Sequence, residues 1–279
     1  MEATDNINRP QYSIDAKLLD LNHLPQDALK GKCADEWSKK RLQYMQCNMK
    51  RCKLDPGSAV KKCNKTLDIV LLIDGSGSLG KKGWTAEIKA AKMFVDAFSG
   101  SGGHAAIAVI LYSGPRTWGG VYKCVGKNKH KVDQEKVCGV KIINHFTSDM
   151  KKVKNLITGL SWPRGSTLTS LALLTAKAEL AVGRKNAHSN VIVFTDGRPL
   201  SYRKTQLASD LVRKSARLVW VPVTRYAPLK YIKKWATRRW QENVVQVKTF
   251  KALENPEVIT HIVANICPKK NPKVKFGRK

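Results

Sequence analysis

Long apolar runs are missing from this sequence of 279 residues. A membrane-crossing helix needs about 20 consecutive apolar residues, and no stretch of that kind occurs. The first ten residues, MEATDNINRP, are polar and lack the apolar core of a signal peptide. We therefore expect a soluble chain with no transmembrane segment and no visible secretory leader.

Acidic residues are scarce beside basic ones. Lys and Arg number 51 and Asp and Glu 21, which gives a formal net charge of +30. Such an excess attracts anionic partners over long range, but it does not determine the fold. The basic residues are concentrated at 123–131, at 225–240 and in the tail 269–279, which we expect to be disordered.

Common enzyme signatures are also absent. The sequence contains no HExxH zinc-peptidase motif, no GxSxG nucleophile turn and no evident Cys–His pattern, and its six histidines are scattered. We therefore predict that the protein is not an enzyme.

The seven cysteines fit neither a CxxC pair nor a zinc-finger spacing. Cys63 precedes the first strong strand and Cys267 ends the last helical segment, so this pair could join the two ends of the domain. Cys124 and Cys138 bracket a polar, lysine-rich loop and could pin its base. Both pairs are predicted disulfides.

The other three cysteines are Cys33, Cys47 and Cys52, so one of them is free or bridges to another chain. Asn64-Lys65-Thr66 is a glycosylation sequon. Together with the predicted bridges, these features favour an extracellular or secretory, oxidising compartment. Seven reduced thiols in a subunit of an intracellular complex are the alternative.

Apolar segments of strand length alternate with amphipathic segments over residues 63–268. The strands are expected at 67–74, 105–113, 140–146, 190–196, 217–223 and 244–247. The helices are expected at 88–98, 153–160, 171–182, 207–212, 229–240 and 258–266. This alternation predicts a doubly wound, Rossmann-like α/β domain, with a mostly parallel central sheet flanked by helices. Residues 1–62 are predicted to form a small, partly helical, cysteine-containing extension, and 269–279 a basic tail.

Oxygen-bearing side chains occur at the ends of two of these strands and in one loop. Asp74-Gly75-Ser76-Gly77-Ser78 continues the first strand, Thr167 lies in the loop GSTLT, and Asp196 ends the strand NVIVFTD. Ligands of such sheets bind at the carboxyl ends of the strands. A hard cation such as Mg²⁺ prefers oxygen ligands and needs few direct carboxylates. The three segments therefore predict a cation site.

The pattern of DxSxS, a loop threonine and TDG resembles the metal-ion-dependent adhesion site (MIDAS) of von Willebrand factor type A domains and integrin inserted domains. The resemblance extends over residues 63–268. It implies that Ser76 and Ser78 bind the ion through their hydroxyls, and that Thr167 joins directly or through water. It also implies that Asp74 and Asp196 act mostly through water. The implied ion is Mg²⁺, with Mn²⁺ or Ca²⁺ as alternatives.

The resemblance further implies an open coordination position that a carboxylate of the partner fills. The expected function is cation-dependent adhesion to an acidic protein or extracellular-matrix ligand. An intact but unused, or merely structural, site is the alternative within the family.

Three other functions stay open. Residues 75–81 match most of a phosphate-binding P-loop, but Lys82 stands where nucleotide-bound Mg²⁺ needs a hydroxyl, which disfavours a nucleotide hydrolase. Residues 225–240 hold six basic and no acidic side chains, interleaved with aromatic ones. They could bind nucleic acid, sulfated glycan or anionic lipid, unless the aromatic side chains lie in the core. A scaffold subunit bound to other subunits of a large assembly is the third.

Overall fold

The computed structural model describes residues 65–125 and 132–266. Within these ranges no helix combines the length and apolarity that a membrane span requires. The predicted Cys63–Cys267 bridge, the three N-terminal cysteines, Asn64 and the basic tail all lie outside the described residues, as do the predicted domain boundaries.

In the described residues, five strands form one sheet in the order β3-β2-β1-β4-β5. They are β1 (Leu67–Asp74), β2 (Ala105–Tyr112), β3 (Val140–Thr147), β4 (His188–Thr195) and β5 (Arg217–Pro222). The neighbours of β1 run parallel to it, β5 runs parallel to β4, and β3 is antiparallel to β2. The predicted mostly parallel, doubly wound sheet is confirmed, with an antiparallel strand at one edge.

Helices connect the strands and cover both faces of the sheet. They are α1 (Gly80–Asp96), α2 (Trp118–Val125), α3 (Met150–Thr158), α4 (Thr169–Ala181), α5 (Tyr202–Arg213), α6 (Leu229–Trp235), α7 (Trp240–Asn243), α8 (Phe250–Leu253) and α9 (Pro256–Ile266). A 3₁₀ turn at Gly77–Leu79 leads into α1.

The core has two layers, because alternate residues of each strand point to opposite faces of the sheet. On one face Leu71 and Ile73 belong to an apolar cluster that includes Phe94 of α1. On the other face Val70 and Leu72 belong to a cluster that includes Leu173 of α4. Every residue of β1 is buried, as the apolar run 67–74 predicts for a central strand covered on both sides.

Two predicted elements are wrong in part. The helix expected at 229–240 ends at Trp235, because Thr237 is bonded to β5: its amide donates to the Leu218 carbonyl and its hydroxyl accepts from the Leu218 amide. Residues 244–247 form two isolated bridges instead of a strand, one from Val244 to Trp220 of β5 and one from Val247 to Val223, just after β5.

The segment that leads into the first of the two loop cysteines is helical, which the sequence did not predict: α2 ends at Val125, one residue after Cys124. The predicted bridge between Cys124 and Cys138 is confirmed, with the two Cα atoms 5.7 Å apart. The short helix α8 was also not expected from the sequence, because four residues carry too little periodicity.

Candidate functional site

The turn after β1 presents two serine hydroxyls at the carboxyl end of the sheet. The Ser76 amide donates to Oδ1 of Asp74 over 2.8 Å, so the carboxylate shapes the turn. The hydroxyl oxygens of Ser76 and Ser78 lie 3.0 Å apart. Ser76 is buried and Ser78 is exposed, so the hydroxyl pair extends from the interior to solvent. Gly75 is required, because a Cβ there would lie 2.7 Å from Cδ of Pro163.

Asp196 reaches the same place from β4. The Ser78 hydroxyl donates to Oδ1 of Asp196 over 2.9 Å, although 118 positions separate them in the sequence. Asp196 directly follows β4, which pairs with β1. Two of the three predicted segments are thus joined by a direct hydrogen bond.

Thr167 lies in the loop that precedes α4. Gly165 in this loop bridges to Ser76, and its carbonyl accepts from the Gly77 amide over 2.8 Å. A Cβ placed on Gly197 would lie 3.2 Å from the Ser78 hydroxyl oxygen and 3.8 Å from that of Thr167. The two hydroxyls therefore border one small space, which the missing side chain of Gly197 leaves open. The fold thus brings all five predicted site residues to one end of the sheet.

Three further polar residues surround Asp74, and the sequence reasoning missed them. Oε1 of Glu87 accepts from the Asp74 amide over 2.6 Å. The Thr195 hydroxyl donates to Oδ2 of Asp74 over 2.9 Å. The Tyr112 hydroxyl donates to the Phe194 carbonyl over 2.9 Å and lies 3.3 Å from the same Oδ2. One available signal was Glu87 itself, a charged residue on the otherwise apolar stripe of α1 that includes Ala90, Ala91 and Phe94.

Burial and crowding of carboxylates make negative charge costly here. Burial, and then the charge of Asp196, raises the pKa of Asp74 to about 7. Burial also raises the pKa of Asp196, against the opposing effect of the Ser78 hydrogen bond. The pKa of Glu87 lies well above its ordinary value, because of burial and then the neighbouring Asp74. A nearby cation would lower the energy of these charges.

The residues fit a hard divalent cation. The side-chain donors are hydroxyl and carboxylate oxygens, the ligands that Mg²⁺ and similar ions prefer. Among the described residues no group of three His, Cys, Asp or Glu side chains could hold a metal ion. An ion at this place would therefore depend on the hydroxyls of Ser76, Ser78 and Thr167, with Asp74 and Asp196 as the two carboxylates of the predicted ligand set.

The same turn does not offer a phosphate cradle. A P-loop binds phosphate through free backbone amides. Here the amides of Gly75, Ser76 and Gly77 donate to the Tyr112 carbonyl, the Asp74 carboxylate and the Gly165 carbonyl. This arrangement counts against the nucleotide-hydrolase alternative.

The basic segment 225–240 divides between core and surface. Trp235 is buried and packs on Trp220, with ring centroids 5.4 Å apart. Tyr226 is exposed, and Nζ of Lys233 lies 3.9 Å from the centre of the exposed Trp240 ring. The expectation of a core position is therefore correct for Trp235 and wrong for Tyr226, Tyr231 and Trp240.

Solved structures with the same fold come from several organisms. Proximal thread matrix protein 1 from the mussel byssus, with a zinc-occupied MIDAS motif, has a TM-score of 0.56 and 16% identity, over 74% of this chain and 49% of that chain. The pilus adhesin SpaC from Lactobacillus rhamnosus GG, in its open conformation, has a TM-score of 0.54 and 15% identity, over 73% and 30%. Manganese-loaded TRAP protein from Plasmodium vivax has a TM-score of 0.50 and 19% identity, over 70% and 74%.

At these identities the likeness shows the fold alone, and this chain spans about half the length of the mussel protein. A search of curated protein sequences finds no significant match. The sequence profile of the von Willebrand factor type A domain matches residues 68–258, which is most of the chain. The sheet topology and this match together show that the chain belongs to the von Willebrand factor type A domain family.

Proposed function

We propose that this chain is a divalent-cation-dependent binding module, not an enzyme, and that it captures an acidic group of a protein or extracellular-matrix ligand. The observation that carries the proposal is the chain of short contacts from Ser76 to Ser78 to Asp196, at 3.0 and 2.9 Å. These contacts join the loops that follow β1 and β4 at the carboxyl end of the sheet, beside the Thr167 hydroxyl.

Each side chain has a distinct role in this proposal. Ser76 and Ser78 hold the ion through their hydroxyl oxygens, and Thr167 joins directly or through water. Asp74 and Asp196 orient these hydroxyls and act on the ion mostly through water. When bound, the ion supplies a positive charge that two carboxylates neutralise only in part, with a coordination position for an outside carboxylate.

Mg²⁺ is the proposed ion, with Mn²⁺ or Ca²⁺ as alternatives. The mussel protein is described with zinc in its motif and the Plasmodium protein with manganese, so related domains accept divalent ions.

An extracellular or secretory location is also proposed for this chain. The Cys124–Cys138 bridge supports that location, because disulfides persist in oxidising compartments, and the similarity to a pilus adhesin agrees with it.

Calorimetric titration with Mg²⁺ and Mn²⁺ alone tests the site. We expect saturable binding by the wild type and strongly reduced binding by Ser78→Ala and Asp74→Ala. Ser99→Ala is the matched control, because Ser99 is an exposed serine before β2, at the opposite end of the sheet. Circular dichroism verifies that each variant is folded. Equal binding by the wild type, Ser78→Ala and Ser99→Ala would disprove the proposed site.

A second candidate function is polyanion binding by segment 225–240. The exposed aromatic side chains of Tyr226, Tyr231 and Trp240 beside basic ones favour it. Stacking of bases on such rings and attraction of phosphates to lysines are how basic surfaces bind nucleic acid, the polyanion that this segment fits best. Binding of this kind should fall steeply with salt, ignore EDTA, and respond to Lys230→Ala and Lys234→Ala more than to Ser78→Ala.

A further inference from the structure

Five exposed basic residues lie in the segments that form the proposed site or directly follow it. Lys81, Lys82, Arg116, Arg164 and Arg198 belong to the segments that follow β1, β2, α3 and β4. The ion pairs of the described residues lie elsewhere and use none of the five. Their positive charge is therefore not neutralised by a carboxylate in the part of the chain that the structure describes.

Arg164 lies directly against the serine turn, and Arg116 is bonded to the loop that contains Arg164. The Arg164 amide donates to the Gly75 carbonyl over 3.0 Å, and the Arg164 guanidinium lies over the Trp162 ring at 4.7 Å. The Trp162 indole in turn donates to the Ser76 carbonyl over 3.1 Å. Nη2 of Arg116 donates to the carbonyl of Pro163, the residue before Arg164. Arg116 and Arg164 are thus placed by contacts with one loop of the site.

The other three basic residues approach from different segments. Arg198 directly follows Gly197. A Cβ placed on Gly197 would lie 3.2 Å from the Ser78 hydroxyl oxygen. Lys81 and Lys82 lie in the first turn of α1, which begins at Gly80 directly after the 3₁₀ turn containing Ser78.

These four segments carry almost no negative charge. Over residues 74–87, 112–123, 159–169 and 196–204, the only acidic residues are Asp74, Glu87 and Asp196. All three are at least 95% buried, and Asp196 is the most exposed at 5%. The outer surface is therefore positive around the proposed ion, and repulsion among these charges is relieved when several anionic groups bind together.

We propose that the ligand is a protein segment with several neighbouring Asp or Glu residues. This inference rests on the proposed function: one carboxylate takes the open position at the ion, and flanking carboxylates pair with Arg116, Arg164 and Arg198. Arginine suits this role, because its planar guanidinium binds a carboxylate through two parallel hydrogen bonds.

Two exposed aromatic residues favour a peptide over a sulfated glycan. Trp118 and Tyr122 on α2 are 73% and 70% exposed. Their spacing of four residues puts them on one face of the helix, which begins two residues after Arg116. Apolar parts of peptide side chains can cover such rings, whereas a densely sulfated chain offers mainly charge.

The test compares two fluorescent peptides of equal length by anisotropy in Mg²⁺. One has a single central Glu among Gly and Ser. The other has the same central Glu and three further Glu residues at flanking positions, one for each of the three arginines. We expect the wild type to bind the second peptide about tenfold more tightly, as for three exposed ion pairs of ordinary strength. The triple variant Arg116→Gln/Arg164→Gln/Arg198→Gln should lose this preference while still binding Mg²⁺.

The matched control is Lys151→Gln/Lys185→Gln/Lys214→Gln. It removes the same number of charges from exposed positions at the other end of the sheet, and it should keep the preference. Circular dichroism checks folding, and Arg198→Gln alone serves if the triple variant does not fold.

The outcomes separate this proposal from the proposed function. If Mg²⁺ binds but the two peptides bind equally well, or neither binds, the multi-acid ligand is wrong and the ion site stands. If the preference survives EDTA, or the control triple variant loses it as well, the proposal is also wrong. If Mg²⁺ itself does not bind, the proposed function fails, and this inference fails with it.

Discussion

Arg184 forms an ion pair with Asp68 at the amino end of the sheet. Its Nε donates to Oδ1 of Asp68 over 2.7 Å, and its amide donates to Oδ2 over 2.6 Å. The same guanidinium donates to the carbonyls of Leu67 and His104, at 2.7 and 3.2 Å. Asp68 is fully buried. One side chain therefore joins the starts of β1 and β2 to the segment before β4, at the end of the sheet opposite the serine turn.

Replacing Arg184 should destabilise the fold strongly. In Arg184→Met the Asp68 carboxylate stays buried but loses its counter-charge, and breaking a buried ion pair costs about 3 to 5 kcal/mol. The amide of residue 184 still donates to Asp68 and the Arg184 side chain is 39% exposed, so water screens part of the lost attraction and we expect a smaller loss, about 2 kcal/mol. Urea unfolding gives the free energy of unfolding directly.

Lys154→Met is the matched control for this prediction. The Lys154–Asp96 pair is as short, at 2.6 Å, but its side chains are 42% and 45% exposed. Exposed ion pairs contribute about 0 to 1 kcal/mol, so this variant should unfold close to the wild type. If Arg184→Met and Lys154→Met lose the same free energy of unfolding, the burial of Asp68 does not determine how much its ion pair contributes to stability.

The buried Glu87 gives a prediction about pH. Its folded-state pKa is raised well above the ordinary value of 4.5, mainly by burial. A raised carboxyl pKa means that Glu87 stabilises the fold most below that ordinary value, and that this contribution is lost as pH rises through the folded-state pKa. Glu87→Gln keeps an oxygen acceptor for the Asp74 amide without a titrating proton. The variant should therefore gain stability relative to the wild type as pH rises.

The measurement is urea unfolding in EDTA from pH 4 upward, so that no divalent cation affects the result. Glu87→Ala is the comparison, because it removes the acceptor and leaves the Asp74 amide unpaired, at a cost of about 1 to 3 kcal/mol. A stability difference between Glu87→Gln and the wild type that does not change with pH would contradict the prediction.

Patterns of apolar residues predicted the central strands well, because burial on both faces leaves a continuous apolar run such as 67–74. The same reasoning failed at 229–240, where periodicity suggested one helix. There the bonds between Thr237 and Leu218 outweigh the helical preference of the segment. Bonds of that kind depend on which strand lies alongside, and no local pattern reports it.

In the candidate site, too, some residues could be predicted from local sequence patterns, whereas others depend on which strands lie side by side. Asp74, Ser76 and Ser78 could be predicted because polar residues directly follow an apolar strand, and Asp196 because the apolar strand β4 is followed by an Asp in the same way. Tyr112 could not, since a tyrosine ending an apolar strand is equally at home in a core. Its hydroxyl acquires a polar role only because β2 lies beside β1 and close to Asp74.

The Cys124–Cys138 bridge should contribute measurable stability. It joins residues 14 positions apart, between α2 and the start of β3. Closing a loop of about 15 residues stabilises a fold by about 3 kcal/mol through the entropy of the unfolded chain. Urea unfolding of Cys124→Ser/Cys138→Ser should show a loss near that size. Peptide mapping without reductant should find the linked peptides in the wild type, and a wild-type protein with both thiols reactive would contradict the assignment.

Gly197 offers the sharpest steric test of the proposed site. In Gly197→Ala the new Cβ lies 3.2 Å from the Ser78 hydroxyl and 3.8 Å from that of Thr167, so it enters the space that these hydroxyls border. We expect the affinity for Mn²⁺ to fall by about 10- to 100-fold, the range seen when residues that orient metal ligands are changed. Thermal unfolding in EDTA should change little, because one methyl group at the end of the sheet touches only these two hydroxyls.

Gly119→Ala is the control for this variant, because a Cβ at Gly119 meets nothing within 4 Å. It should leave Mn²⁺ affinity unchanged, as measured by calorimetry or by electron paramagnetic resonance of the free ion. If Gly197→Ala binds Mn²⁺ as tightly as Gly119→Ala, the ion does not occupy the space between Ser78 and Thr167. Loss of affinity together with a large loss of stability in EDTA would instead mean that the added methyl group disturbs the fold, and not the ion site alone.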